Sequence, residues 1–382
     1  MEIIVIGGGI GGLSAANALG RDGHRVTVVE RATRFEPVGA GIVMAPNAVH
    51  VLRTLGVDLS TAGTELAGMQ MCLADGRILT QMDTGGLTAV HGPTFGITRA
   101  AVHEGLEAAL PESVEVVLGQ AVESVEQHAD GVVVRTAIGE LRADLAIAAD
   151  GLGSGVRQQL VGDVALRSSG TTCWRGLADL DLGRIAVEAW GSGTRVGVVP
   201  VGNGRCYYFL VHPSRPEVDL PRDLASLKAA FAEYDGAAGR LIGSLEAMPP
   251  LRHELVELDQ PVWGTERVIL LGDGAHAMTP NQGQGAAMAI EDARALVMAL
   301  RGGVGGALDR YVNLRAARVR KVQLDSRRIG EIAHWENPVA RRLRNMILRV
   351  TPSTAAQRTV RALVAPGVRL ASATVGDHGS HS

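Results

Sequence analysis

The chain has 382 residues, 46% apolar and 20% charged, which is enough to bury the cores of two domains and excludes general disorder. A formal net charge of −3 gives no footprint for nucleic acid, nor for anionic lipid as a main partner. Cys72, Cys173 and Cys206 are far apart, with neither CxxC nor metal-ligand spacing. No leader-like segment opens the chain and no window approaches the ~20 apolar residues of a membrane span, so a cytoplasmic protein without bound metal is expected.

The first predicted element lies in IIVIGGGIGGLSAANAL, residues 3–19. Ile3–Ile6 is wholly apolar and β-branched, as in a strand buried on both faces of a parallel sheet. Five glycines follow within six positions, with Gly7, Gly9 and Gly12 in GxGxxG register. Ser14–Leu19 has helix-forming composition, and Arg25–Glu30 reads as a second strand, completing a βαβ unit of about 30 residues. In such a unit Gly7 permits the tight turn, Gly9 lets the backbone approach a pyrophosphate, and Gly12 lets the helix pack closely. The helix N-terminus supplies free N–H groups for the phosphates. Glu30, at the end of the second strand, is placed to accept hydrogen bonds from an adenosine ribose. The unit predicts a dinucleotide without distinguishing FAD from NAD.

Three later stretches bear on that choice. GITRAAVHEGL (96–106) puts Arg99 at the start of a predicted helix, within reach of a phosphate or ribose. DLAIAADGLGSGVR (144–157) is a buried strand ending in Asp150–Gly151, followed by Ser154 and Arg157. RVILLGDGAHAMTPNQGQGAAMAIEDA (267–293) is another, ending in Gly272–Asp273, and its loop carries Pro280, Gly283 and Gly285 into an apolar helix. A carboxylate at a strand end binds a polyol chain, and the helix N-terminus behind the loop stabilises the negative charge of a reduced flavin. This arrangement favours FAD.

With GxGxxG near the start, DGLGSGVR in the middle and GDGAHAMTPNQGQG late, the chain resembles the single-component FAD-dependent aromatic hydroxylases with the para-hydroxybenzoate hydroxylase fold. Within them it looks closest to the compact salicylate hydroxylase, urate hydroxylase and zeaxanthin epoxidase group. The resemblance implies an α/β fold with a Rossmann-like FAD-binding domain (1–75, 96–165 and 265–300) interleaved with a β-sheet substrate domain (76–95 and 166–264). C-terminal helices (301–371) and a flexible tail (372–382) would follow. It also implies that Gly7, Gly9, Gly12 and Glu30 hold the ADP half of FAD, that Arg31 lies beside the adenine, and that Arg99 contacts the phosphates or ribose. Asp150 and Gly151 would serve FAD and NAD(P)H, Asp273 the ribityl chain, and Gly41 and Val43 the surroundings of the flavin ring. Pro280 to Gly285 would wrap the isoalloxazine, with Pro280 at the reaction site. The implied activity uses NADH or NADPH and O₂ to hydroxylate a small aromatic or heteroaromatic molecule through a C4a-hydroperoxyflavin. Isoprenoid epoxidation and oxygen-independent flavin reduction are the alternatives, and a monomer or homodimer is expected.

The intervening segment has its own character. Val196–Leu210 reads as two strands joined at Gly202–Asn203–Gly204, a hairpin signal. Trp174, Trp190, Tyr207, Tyr208 and Phe209 gather here although aromatics are 3% of the chain, as in a sheet covering one face of the flavin. Arg195 at the hairpin mouth is a candidate contact for an anionic substrate, and Arg175 a second. His276 sits in the flavin loop, where the resemblance implies a structural role. In RRLRNMILRV (341–350) Leu343, Met346, Ile347 and Val350 share one helical face, which predicts a surface helix packed on the flavin domain.

Overall fold

The computed structural model describes residues 1–35 and 39–373. Strand β1 (Glu2–Ile6), helix α1 (Ile10–Arg21) and strand β2 (Arg25–Val29) form the opening unit. β1 pairs in parallel with β2 and, on its other side, with Leu145–Ala148, which pairs in parallel with Val268–Leu270. This central position accounts for its composition. Ile3, Ile4, Val5 and Ile6 are all buried, and each such side chain contributes about 1.5–3 kcal/mol by leaving water. Among the described residues the sheet has six strands, with Val114–Val117 beyond β2 and Gly264–Thr265 antiparallel at the other edge. Parallel pairing sends the strand ends to one edge. Gly7, Glu30, Asp150 and Asp273 all follow such ends, so residues far apart in sequence meet along a single groove.

A seven-stranded sheet, also counted among the described residues, runs in the order Leu251–Leu258, Leu166–Asp179, Arg205–Pro213, Arg195–Gly202, Ile185–Trp190, Gly68–Leu73 and Ile78–Asp83. Its hairpin turns through Asn203 and Gly204, both at positive φ, as an Asn-Gly turn requires. Gly68–Leu73 corrects the boundary expected at residue 75. It pairs with Ile185–Trp190 and with Ile78–Asp83, so a cut at 75 would split a hairpin at its turn. Side-chain alternation divides the aromatic group between two faces. Trp174 and Tyr208 enter an outer core with Phe231 and Tyr234, while Tyr207 and Phe209 face inward, towards Ala40 and Val43.

Three helices close the chain: Ala307–Ala333, Pro338–Val350 and Ser353–Ser372. The last one takes in Ser372, the expected first residue of the tail, and Arg294 holds the carbonyls of Leu370 and Ala373 at its end. Residues 374–382 of that tail lie outside the described residues. Helix Pro338–Val350 also departs from expectation. Its inward residue is Arg344, which reaches the carbonyls of Ile332 and Ala333 and lies over the Trp190 ring of the seven-stranded sheet at 5.0 Å. Leu343, Met346, Ile347 and Val350 therefore point to solvent, at 50–72% exposure, instead of packing on the flavin-side layer.

Helix Gly285–Leu300 is apolar almost throughout, yet Glu291 and Asp292 in its middle are fully buried. Their counter-charges come from the next helix. Arg315 donates to Glu291 at 2.7 Å and to Asp292 at 2.6 Å, and Arg318 forms a two-point pair with Glu291. Asp292 also accepts the Gly272 N–H at 3.1 Å and the Nε2–H of His276 at 2.6 Å. Burial works to raise the Asp292 carboxyl, but His276 and Arg315 outweigh it and hold it at about 2. Its stabilising contribution is therefore complete above about pH 4 and is lost as pH falls through 2. Removing one partner of such a pair costs about 3–5 kcal/mol. Arg315→Met is expected to lower unfolding stability by that amount in a denaturant titration. A loss below about 1 kcal/mol would show that the pairs contribute little.

Candidate active site

Gly9 is the N-cap of α1, and among the described residues no side chain caps the helix, so its first N–H groups open onto the groove. A Cβ on Gly9 would meet no described atom within 4 Å, whereas one on Gly12 would collide with the Gly7 carbonyl oxygen. The first glycine leaves room for a ligand and the second for the fold. Glu30 accepts the Gly8 N–H at 2.6 Å and the Ala32 N–H at 2.8 Å, and each carboxylate oxygen keeps a lone pair for a hydroxyl. Arg31 beside it is exposed.

Thr98 caps helix Arg99–Ala108 and so fixes Arg99 at its first turn. Burial lowers the Arg99 guanidinium, and the nearby Asp273 carboxylate works against that shift, so the two groups share one end of the groove. His103, one helical turn after Arg99, was not singled out from sequence. Its Nε2 donates to the Gly8 carbonyl at 2.7 Å and its ring meets Phe35 edge-on, which anchors this helix to the glycine turn. Asp150 Oδ2 accepts the Val156 N–H, while its Oδ1 is buried with no partner among the described residues. Arg157 joins the second and third motifs by donating to the carbonyls of Leu152 and Gly274. The groove thus offers donors at one end and acceptors along its length, which suits an anionic, polyhydroxylated ligand.

Beyond Asp273 the loop passes through Pro280–Gln282, a single 3₁₀ turn, to Gly283 in the left-handed region and then to Gly285 at the start of the next helix. Asp273, Pro280 and Gly283 are exposed while the residues behind them are buried. Gln284 accepts from Asn47, which also donates to Glu291, so the buried charge cluster holds the loop from behind. Asn281 fixes its front. Its Nδ2 donates to Thr279 and to the Ser326 carbonyl, and Gly330 must be glycine because a Cβ there would strike the amide.

Arg195 completes this support. It lies on the inward face of the sheet, opposite Val211, and donates to Glu188 at 2.9 Å and to Asn281 at 2.6 Å. The expected contact with an anionic substrate is thereby recast, because the guanidinium is buried and engaged by a carboxylate and an amide. Arg175 lies on the same face, its Nε 3.3 Å from Cys173 Sγ. Gly41 sits directly under Tyr207, and Val43 beside it is half-buried. His276 is buried between Asp292 and the Trp263 ring, in keeping with a structural role.

A small cleft opens between this inward face and the loop, lined by Arg167, Arg327 and Glu331 together with Ser169, Thr171, Leu255, Thr279, Asn281 and His334. His334 was also missed from sequence, because it caps a helix that only tertiary packing brings to the loop. Its Nδ1–H donates to the Gly330 carbonyl at 2.7 Å, and its Nε2 is buried with no partner among the described residues. Burial, with Arg195 and Arg344 nearby, pushes the imidazole down to about 4, so it is neutral and its Nε2 is an acceptor at neutral pH. Among the described residues no group of three or more His, Cys, Asp or Glu is placed to hold a metal ion, and no helix is long and apolar enough to cross a membrane.

The family described as "FAD binding domain" matches residues 1–326. The chain is similar to the aurachin C monooxygenase/isomerase of Stigmatella aurantiaca, 37% identical over 92% of this chain and 95% of that one. It is similar to the 2-heptyl-3-hydroxy-4(1H)-quinolone synthase of Pseudomonas aeruginosa, 33% identical over 94% of this chain and 96% of that one. Its fold matches the crystal structure of Klebsiella pneumoniae HpxO complexed with FAD and uric acid, with TM-score 0.85, 30% identity, and coverage of 96% of this chain and 97% of that one. The groove, the loop and these likenesses converge, and the chain belongs to the FAD binding domain family as an FAD-dependent monooxygenase.

Proposed function

We propose that the chain hydroxylates a neutral nitrogen heteroaromatic ring bearing an alkyl tail, of the alkyl-4(1H)-quinolone class, in the cytoplasm and with NADH or NADPH as electron donor. The carrying observation is the charge state of the cleft. Arg167, which lines it, pairs with the buried Glu257 and with Glu331, Arg327 pairs with Glu257 and with Asp259, and Arg195 at its edge is matched by Glu188. Pairing of this kind leaves little attraction for an anionic ring, whereas the neutral Nε2 of His334 suits a ring N–H or O–H. The name of the Pseudomonas aeruginosa relative contains an alkylated 4(1H)-quinolone, and that of the Stigmatella aurantiaca relative a monooxygenase, which together support this reading.

In this reading the six-stranded layer binds the cofactor and the seven-stranded sheet covers the substrate. The N–H groups at Gly9 would hold the FAD phosphates with Arg99, Glu30 the ribose, Arg31 the adenine, and Asp273 the ribityl chain. Asp150, with its unmatched oxygen, and Gly151 would complete the middle of the groove. Gly41, Val43, Pro280, Gly283 and Gly285 would border the isoalloxazine, where the N-terminus of helix Gly285–Leu300 favours negative charge. FAD, when bound, supplies two-electron exchange with the nicotinamide and the activation of O₂. The protein's part is to seat the ring, exclude water and hold Pro280 still. Arg195 acts through Asn281 as a positioning residue.

The substrate reading is tested by NADH and NADPH oxidation in the presence of alkyl-4(1H)-quinolones, urate and salicylate. Stimulation by the quinolones above the two anions is expected, and stimulation by the anions alone would overturn the reading. For the groove, Gly9→Ala is expected to fold normally but to weaken FAD binding by about tenfold or more in a fluorescence titration. Gly12→Ala is expected to lower stability first, and equal effects of the two would contradict the assignment. Arg195→Met is expected to retain FAD while the product formed per nicotinamide oxidised drops about tenfold, since a loop displaced by a fraction of an ångström misaligns the reactants. Unchanged coupling would remove Arg195 from the account.

A further inference from the structure

Fifteen large apolar side chains are exposed among the described residues, and seven of them fall between 332 and 350: Ile332, Trp335, Val339, Leu343, Met346, Ile347 and Val350. Such a concentration is unlike the scattered apolar residues of an ordinary surface. Five of the seven lie on one face of helix Pro338–Val350, and the buried Arg344 on the opposite face fixes that orientation. Arg342 and Arg349 flank the apolar face and are exposed.

The surrounding charge is one-sided. From Pro338 to Ala373 the chain has seven arginines and no acidic residue, although its overall net charge is −3. Arg358, Arg361 and Arg369 on the following helix are exposed as well. The nearest acid in sequence, Glu336, is paired with Arg215, and Asp83, on the strand packed against both helices, accepts the Gly85 N–H. An apolar face edged by arginine and carrying a tryptophan at one end is complementary to an anionic lipid surface, where the apolar side chains enter the acyl boundary and the guanidiniums meet headgroup phosphates. A second copy would bring the same arginines face to face, which disfavours a symmetric dimer here.

We propose that helix Pro338–Val350 docks the protein on an anionic bilayer as a peripheral, non-spanning contact. His334, between Ile332 and Trp335 in sequence, lines the cleft, so the docking face begins at the cleft's rim. A substrate with an alkyl tail would then pass from lipid to cleft over a short distance. That last step rests on the proposed substrate class, whereas docking stands on the surface alone.

The test is co-sedimentation of the FAD-loaded protein with vesicles of phosphatidylcholine alone or mixed with phosphatidylglycerol. Binding to the anionic vesicles is expected, with release as salt is raised from about 0.1 to 0.5 M. Leu343→Glu/Ile347→Glu is expected to lower the bound fraction about tenfold or more while flavin absorbance and oxidase activity towards soluble substrate stay unchanged. Arg342→Glu/Arg349→Glu, which keeps the apolar face, is expected to abolish the preference for anionic vesicles. Absence of sedimentation, or full binding by the Leu343/Ile347 variant, would overturn the proposal. So would light scattering that shows a dimer dissociated by that variant, which would assign the face to a second copy. Substrate preference is read separately in solution, so a failed quinolone assignment leaves this result standing.

Discussion

Two carboxylates buried at consecutive positions of one helix constrain the whole cofactor side of the molecule. Asp292 accepts the N–H of Gly272, the residue whose left-handed turn projects Asp273 into the groove. The same oxygen binds His276, four residues after Gly272. Glu291 holds Asn47, and Asn47 holds Gln284 at the end of the Pro280 loop. None of this is tolerable without Arg315 and Arg318, because an unpaired buried carboxylate costs several kcal/mol in lost hydration. The long helix that supplies these arginines also supplies Ser326 and Gly330, which seat Asn281. One charge cluster therefore sets the back of the loop and, through the same helix, its front.

How much of this was legible in sequence depended on whether a requirement is local. The glycine turn, Glu30 and the carboxylates of Asp150 and Asp273 follow from strand, turn and helix signals a few residues apart, and the sheet brings all of them to one edge. The Asn203–Gly204 turn was readable for the same reason. Glu291 and Asp292 stood in plain view inside an apolar helix, which is the signal that cations must lie nearby, but their partners sit a helix away. His103 and His334 make contacts that only packing creates. For helix Pro338–Val350 the pattern correctly grouped Leu343, Met346, Ile347 and Val350 on one face. It did not say which way that face turns, and Arg344 decided the matter by taking the inner position.

The arginines of the substrate side show how a charge's meaning depends on its neighbours. Arg195 looked like an anion receptor while its surroundings were unknown. With Glu188 and Asn281 in place it is a strut between sheet and loop, and Arg167 and Arg327 are matched by Glu257, Glu331 and Asp259. Besides these paired charges and Glu331, the cleft presents a neutral imidazole, hydroxyls and apolar surface. At the C-terminus the reverse holds, since Arg342, Arg349, Arg358, Arg361 and Arg369 are exposed with no acidic residue in their own segment. The net charge of the chain conceals both arrangements.

The most direct test of the central claim is the fate of oxygen. The FAD-loaded protein, an alkyl-4(1H)-quinolone and NADH or NADPH would be incubated under ¹⁸O₂ and the product examined by mass spectrometry. The account requires one labelled oxygen atom on the ring for each nicotinamide oxidised in productive turnover. A hydroxylated product whose oxygen derives from water, or turnover that yields an altered ring with no added oxygen, would contradict it.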